Sequence, residues 1–383
     1  MAARSGCIAA TVLERAVVHV VIIGAGIMGC ASAHALALLG ADVTLLERAI
    51  PGAEASSAAA GILGAQVESL DHPEQRGMLV KARAGYAAWT EMLKAETGIG
   101  VGYRVSGVLK AAFDAEELAT LGSQVESQRR EGLRAELLDP KGALEAEPEL
   151  SPSVAGAAYF EDDAQVDPPA LLRALVAAIA RTKVRLVTGA VVQRLLVERD
   201  RCTGVVTDDG VLHADATVLA AGSWSKLVPG VPDAVPEVKP ARGQMLLLEE
   251  RPPRLRTIVF GAPIRKNGPK TGGAPRASGY VVPRGDGRVL AGSTLELVGF
   301  KKEVTAGGLH AILATALGLA PGLASAPVSS FWSNFRPFTP AGAPLMGSSP
   351  LQGLFLATGH HRNGILLAKL TADAVADAVA KGL

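Results

Sequence analysis

The sequence predicts an α/β protein of two domains, one built on a parallel sheet and one of different texture. Three observations predict it. A β-branched strand, a glycine-rich turn, a small-residue helix and a second strand follow one another from His19 to Glu47. Buried-type strands and one well-capped helix return between Tyr159 and Ala221. Two segments of different texture, Thr97 to Glu149 and Val238 to Trp332, interrupt that pattern. At 383 residues the chain is too long for one ordinary core, and a 49% hydrophobic content is ample for two.

Each element has a local reason. HVVIIG (His19–Gly24) reads as a strand buried on both faces, and IMGCASAHALALLG as a helix of small residues. Together they make Val17 to Ala41 free of Asp, Glu, Lys and Arg, but the change of texture midway argues against a membrane span. DVTLLE is the second strand. DPPALLRALVAAIART (Asp167–Thr182) opens with an Asp cap and prolines in its first turn. Strands are expected near Val184–Val187, Val191–Val197, Cys202–Thr207 and Thr217–Ala221. GAPIRKNGPKTGGAPRASG (Gly261–Gly279), with five Gly, three Pro and four Lys or Arg, reads as a long basic loop between two strands.

Bulk chemistry narrows the function. A net charge of +1 argues against nucleic acid or an anionic membrane as the main partner. Cys7, Cys30 and Cys202 form no motif, which fits a reduced, cytoplasmic protein without a disulfide framework. The leader before Arg15 reads as a frayed terminus rather than a signal peptide. No metal site is expected. His34 and His213 sit in helix-like and strand-like contexts and read as structural.

The chemistry starts at GAGIMG. Gly24 makes the tight turn, Gly26 admits a pyrophosphate to the backbone, and Gly29 lets the helix pack close to the sheet. The helix N-terminus then offers free N–H groups to the phosphates. Glu47, 23 residues after Gly24, accepts hydrogen bonds from a ribose diol and favours NAD or FAD over NADP. PGAEASSAAAGILGA (Pro51–Ala65) has no periodicity for a normal crossover helix. Ser56 and Ser57 offer hydroxyls, and Ala58 to Gly61 allow a large flat group to approach, which an NAD enzyme does not need here.

GxGxxG followed by LLER and SSAAAGILGA resembles the D-amino-acid oxidase family of flavoproteins and, within it, the glycine oxidases. YFEDDAQVDPPAL, VLAAGSWS, ARGQMLLL, YVVPRGDGRVLAGST, FRPFTPAGAPLMG and GHHRNGILLA continue the resemblance in family order to the C-terminus. It implies a Rossmann-like FAD-binding domain in three parts (17–96, 154–237, 334–383) with an α+β, antiparallel-sheet substrate domain inserted in two (97–153, 238–333). It implies non-covalent FAD, since no Cys beyond Cys202 is present for a C-terminal linkage. The implied flavin contacts are Gly24, Ala25, Gly26, Ile27, Met28, Gly29, Glu47, Arg48, Ser56, Ser57, Ala60, Gly61 and Ile62 in the first part. Val192, Ala221, Gly222 and Trp224 follow in the second, and His360, Arg362, Asn363, Gly364, Ile365 and Leu366 in the third.

A buried carboxylate is best held by an arginine fork. By the resemblance Arg336 is that clamp, with Tyr280 and Arg362 as further polar contacts. The helix that starts near Gly364 points its positive end at the flavin edge where negative charge gathers on reduction. The chain departs from the family pattern at Ala341, in TPAG where relatives often carry TPDG, and at Ser278, two residues before Tyr280.

The implied reaction is oxidation of glycine or another small amino acid (sarcosine, D-amino acids) by hydride transfer to flavin N5, with oxygen as the final acceptor. The resemblance also implies a homo-oligomer, a dimer or tetramer, and a place in thiamine biosynthesis. A dehydrogenase passing electrons to a quinone and an NAD-linked Rossmann dehydrogenase are the competing readings. The basic loop Gly261–Gly279 is expected to border the active-site entrance.

Overall fold

The computed structural model describes residues 17–261 and 276–382. Strand His19–Ile23 is the centre of a six-stranded sheet. Asp42–Glu47 and Ala216–Leu219 flank it, both parallel, with Ile22 opposite Leu45 and Val218. Arg185–Thr188 extends the sheet on one side and Leu354–Thr358 on the other. Leu345–Ser348 closes the second edge antiparallel.

The central strand is apolar throughout because both its faces are covered. Val20 and Ile22 point into a core shared with helices Ile27–Leu38, Pro168–Ile179 and Gly364–Gly382. Val21 and Ile23 point the other way, onto Leu195, Cys202 and Val205. Those residues belong to a three-stranded antiparallel sheet, Val192–Glu198, Arg201–Thr207 and Gly210–His213. The strands expected near Val191–Val197 and Cys202–Thr207 therefore do serve the N-terminal unit, as a second layer outside its parallel sheet.

The other domain is an eight-stranded sheet in the order Val328–Phe338, Lys239–Glu249, Arg288–Leu295, Arg276–Pro283, Ile258–Phe260, Val108–Ala112, Gly156–Phe160, Glu136–Leu138. It is antiparallel except where Ile258–Phe260 runs parallel to Val108–Ala112. That pair joins the two inserted segments. Helix Ala306–Leu319 packs behind the sheet. Gly156–Phe160 belongs to this sheet, so the first insertion extends through Phe160 rather than ending at 153. Val328–Phe338 likewise runs through the expected boundary at 333/334.

Asp167 caps its helix as its position suggested, accepting from the Ala170 N–H at 3.3 Å behind Pro168 and Pro169. The uncharged stretch Val17–Ala41 divides into a strand and a twelve-residue helix, and no described helix is long and apolar enough to cross a membrane. Most of the basic loop lies outside the described residues. Its ends meet, the Gly261 N–H donating to the Gly279 carbonyl at 2.9 Å.

Candidate active site: a cleft between the two sheets

The turn after the central strand is built by contacts only glycine permits. Gly24 has φ +99°, and a Cβ there would lie 2.7 Å from the Ala220 carbonyl oxygen. A Cβ on Gly29 would lie 1.8 Å from the Gly24 carbonyl oxygen, against 3.4 Å from Leu45. Gly29 thus lets the first helical turn fold over its own strand; close helix–sheet packing, the role expected for it, is secondary. A Cβ on Gly26 would meet only the Ser56 hydroxyl, at 3.2 Å, so this backbone faces open space.

Polar groups ring that space. The Glu47 carboxylate accepts the Ala25 N–H and the Ala49 N–H, each at 2.9 Å, one on each oxygen. Each oxygen keeps a lone-pair direction for a further donor. Ser56 Oγ accepts the Ile27 N–H at 2.9 Å, at the start of helix Ile27–Leu38. Ser57 does not face the space: its hydroxyl donates to the Gly52 carbonyl at 2.6 Å. The Arg48 guanidinium lies 4.1 Å from the Trp224 ring centroid and pairs with Glu54 at 3.1 Å.

The small-residue run Ala58–Gly61 is held from behind by a residue the sequence reading passed over. Arg284, buried, donates to the Ala60 carbonyl at 2.6 Å, the Val166 carbonyl at 2.8 Å and Gln165 Oε1 at 2.6 Å. Burial pushes its pKa down to about 10, still well above neutrality. Gly61 has φ +74° and leaves no room for a Cβ, which would lie 2.1 Å from the Val166 oxygen.

The far end gathers the residues expected to meet substrate. Arg336 sits within strand Val328–Phe338 and lies flat on Gly243, whose missing Cβ makes the room. Its guanidinium donates to Ser293 Oγ at 2.7 Å and to the Thr294 carbonyl at 3.1 Å. Burial lowers its pKa, and Tyr280 beside it acts the other way. The Tyr280 hydroxyl stands 3.7 Å from Met245 Sδ. Arg362 is held by a second residue the sequence reading missed, Glu68: Nε to Oε2 at 2.9 Å and Nη2 to Oε1 at 3.2 Å. Glu68 lies seven residues after Gly61 in an otherwise unremarked stretch; an acid in so apolar a run was the available signal.

GHHRNG forms a tight 3₁₀ turn, His361–Asn363, before helix Gly364–Gly382. His360 is buried, and its Nε2 pairs with Thr371 Oγ1 at 2.8 Å. His361 has φ +47° and packs edge-on against Phe338. Burial pushes both imidazole pKa values down to about 3; for His361 the nearby Arg336 and Arg362 add to this. Both rings are therefore neutral. Among the described residues, His360 Nδ1 and His361 Nε2 are buried without a hydrogen-bond partner.

All of this opens into one cavity of about 380 Å³ that runs from Gly24 to Arg336. Every residue expected at the site lines it except Ala25, Gly29, Ser57, Asn363 and Leu366. Ala25 and Gly29 act through the turn. Leu366 is a core residue of its helix. The residues fit FAD: a carboxylate with spare lone pairs and a helix N-terminus stand at one end. A slot of small residues follows in the middle, and neutral imidazoles with orphaned nitrogens stand at the other end.

The FAD dependent oxidoreductase (DAO) family matches residues 19–378. The chain is 35% identical over 364 residues to the glycine oxidase of Geobacillus kaustophilus, covering 94% of this chain and 92% of that protein. The crystal structure of glycine oxidase from that organism superposes with a TM-score of 0.86 over 95% of both chains. The iminodiacetate oxidase of Chelativorans sp. BNC1 superposes with a TM-score of 0.83 at 26% identity, over 94% of this chain and 95% of that one. The bifunctional protein ThiO/ThiG of Trichormus variabilis is 36% identical over 362 residues, 94% of this chain but 52% of that protein. The chain thus spans about half the length of the bifunctional relatives it matches. The family match sets aside the NAD-linked reading. The chain belongs to the FAD-dependent oxidoreductases of the DAO family, and FAD is its cofactor.

Proposed function

We propose that the protein oxidises glycine or another small amino acid to the imino acid, which water converts to the 2-oxo acid with release of ammonia or amine. FAD, when bound, supplies the acceptor for the α-hydrogen and its electron pair and returns two electrons to oxygen, giving hydrogen peroxide. The observation that carries this reading is Arg336: a guanidinium enclosed in the cavity, fixed on one side by Ser293 and Thr294, with no carboxylate partner among the described residues. Such a cation calls for a carboxylate ligand.

Arg336 binds the carboxylate through its fork, and the Tyr280 hydroxyl donates to the same group. This fixes the α-carbon rather than activating it, so orientation is the protein's main contribution. The neutral imidazole of His361 keeps a third positive charge out of the pocket. Kinship with proteins named glycine oxidase supports the substrate class, and kinship with proteins named ThiO/ThiG supports a place in thiamine biosynthesis. The homo-oligomeric state and cytoplasmic location belong to the same reading.

Anaerobic titration of the purified holoprotein with glycine, sarcosine and D-amino acids tests it. Bleaching of the flavin absorbance by one of these is expected; no bleaching by any small amino acid would sink the reading. Oxygen uptake then separates an oxidase from a dehydrogenase that uses a quinone.

A further inference from the structure

Among the described residues, three guanidinium groups line the cavity. Arg48 belongs to the Glu47 end, where Glu54 and the face of Trp224 hold it. Arg336 and Arg362 stand together at the other end, close enough for each charge to act on the other. Their surroundings differ in kind. Arg362 meets Glu68 through two parallel N–H···O bonds, the fork-to-fork geometry that best satisfies both charges. Both partners are largely buried, at 24% and 14% exposure. The Glu68 charge raises the Arg362 pKa further, so the guanidinium stays charged. Arg336 meets the Ser293 and Tyr280 hydroxyls and a backbone carbonyl, and no carboxylate pairs with it among the described residues.

Glu68 and Arg362 come from distant parts of the chain, 294 residues apart, and both face the cavity. Both line the cavity, so a ligand that enters it meets the pair. In a site of low dielectric the charge count decides which ligand enters, because an unmatched charge is far more costly there than in water. One carboxylate matches Arg336. A second would have to displace Glu68 from Arg362 or lie beside it, carboxylate against carboxylate.

We propose that Glu68 is the specificity-determining residue of this site: by neutralising Arg362 it leaves Arg336 as the unmatched cation, so the cavity takes amino acids with one carboxylate and rejects those with two. This deepens the amino-acid reading above and rests on it for the substrate class. The prediction about charge stands apart from turnover, since simple carboxylates report it.

Calorimetric titration of the FAD-bound protein with acetate and with malonate tests the charge count directly. The parent protein should bind acetate more tightly than malonate. Glu68→Gln keeps the shape and removes the negative charge beside Arg362, and should shift the malonate-to-acetate affinity ratio by about tenfold towards malonate, the scale of one charge-assisted hydrogen bond. Arg362→Gln leaves Glu68 unopposed and should weaken acetate binding by about tenfold although Arg336 is intact. In parallel, Glu68→Gln should raise kcat/KM for iminodiacetate relative to glycine. Tighter malonate than acetate binding by the parent protein, or a ratio unmoved by both substitutions, overturns the proposal. If neither amino acid reduces the flavin but the acetate and malonate shifts appear, the charge selection holds and the oxidase reading fails.

Discussion

Arg336 is tied to Ser293 by a 2.7 Å hydrogen bond that reaches across the intervening strand Lys239–Glu249, over Gly243, and the adjacent Thr294 carbonyl takes a second N–H at 3.1 Å. These two bonds orient the guanidinium plane and leave its other donors to the cavity. A lysine has no such plane. Arg336→Lys keeps the charge but loses the fork and its orientation, so affinity for glycine or acetate should fall by about 1.5–3 kcal/mol. The acetate dissociation constant of the holoprotein measures this, and an unchanged value would remove Arg336 as the clamp.

Glu47 joins the end of its strand to the glycine turn through the Ala25 and Ala49 amides. Glu47→Arg removes both acceptors and puts a cation where a diol acceptor is needed. The variant should elute from gel filtration without flavin absorbance. The parent protein should release its FAD into the supernatant on acid precipitation; colour kept in the pellet would show a covalent link.

Two glycines make a matched pair for stability. Gly29→Ala drives a methyl to within 1.8 Å of the Gly24 carbonyl, so the turn must shift. Thermal denaturation should show a loss of at least about 1–3 kcal/mol, the usual cost of overpacking, together with weaker FAD retention. Gly77 lies in helix Arg76–Ala84 with nothing within 4 Å of an added Cβ. Gly77→Ala should stabilise by about 0.4–1 kcal/mol through the unfolded chain alone.

His360 and His361 set a pH dependence. Their folded pKa values of about 3 lie below the ordinary histidine value of 6.5. Between pH 6.5 and 3 the unfolded chain binds the extra protons, so the stability these rings permit is full above 6.5 and is lost as pH falls through that window. The slope is at most about 1.4 kcal/mol per pH unit for a fully buried ring such as His360. The melting temperature should therefore drop between pH 7 and pH 5, and His360→Asn should flatten that drop. An equal drop in parent and variant would place the acid sensitivity elsewhere.

Much of this was legible without coordinates. The strand–turn–helix–strand series with its glycines and Glu47 carries its own local logic, because each residue acts on neighbours within a few positions. The Asp167 cap and the split of Val17–Ala41 into strand and helix are likewise local. The family motifs also named Arg336, Tyr280 and Arg362 in advance. The parallel pairing of Ile258–Phe260 with Val108–Ala112 was not legible, nor was the membership of Gly156–Phe160 in the larger sheet. Strand pairing depends on which edges are free once other strands have paired, and composition does not record that. Glu68 beside Arg362 and Arg284 behind Ala60 were hidden for the same reason: each bond joins residues more than 200 positions apart. The sequence by itself determined the cofactor-binding pattern and the residue types at the site. Tertiary structure decided which arginine pairs with a carboxylate, Arg362 with Glu68, because charge compensation is a property of distance in space and not of position along the chain.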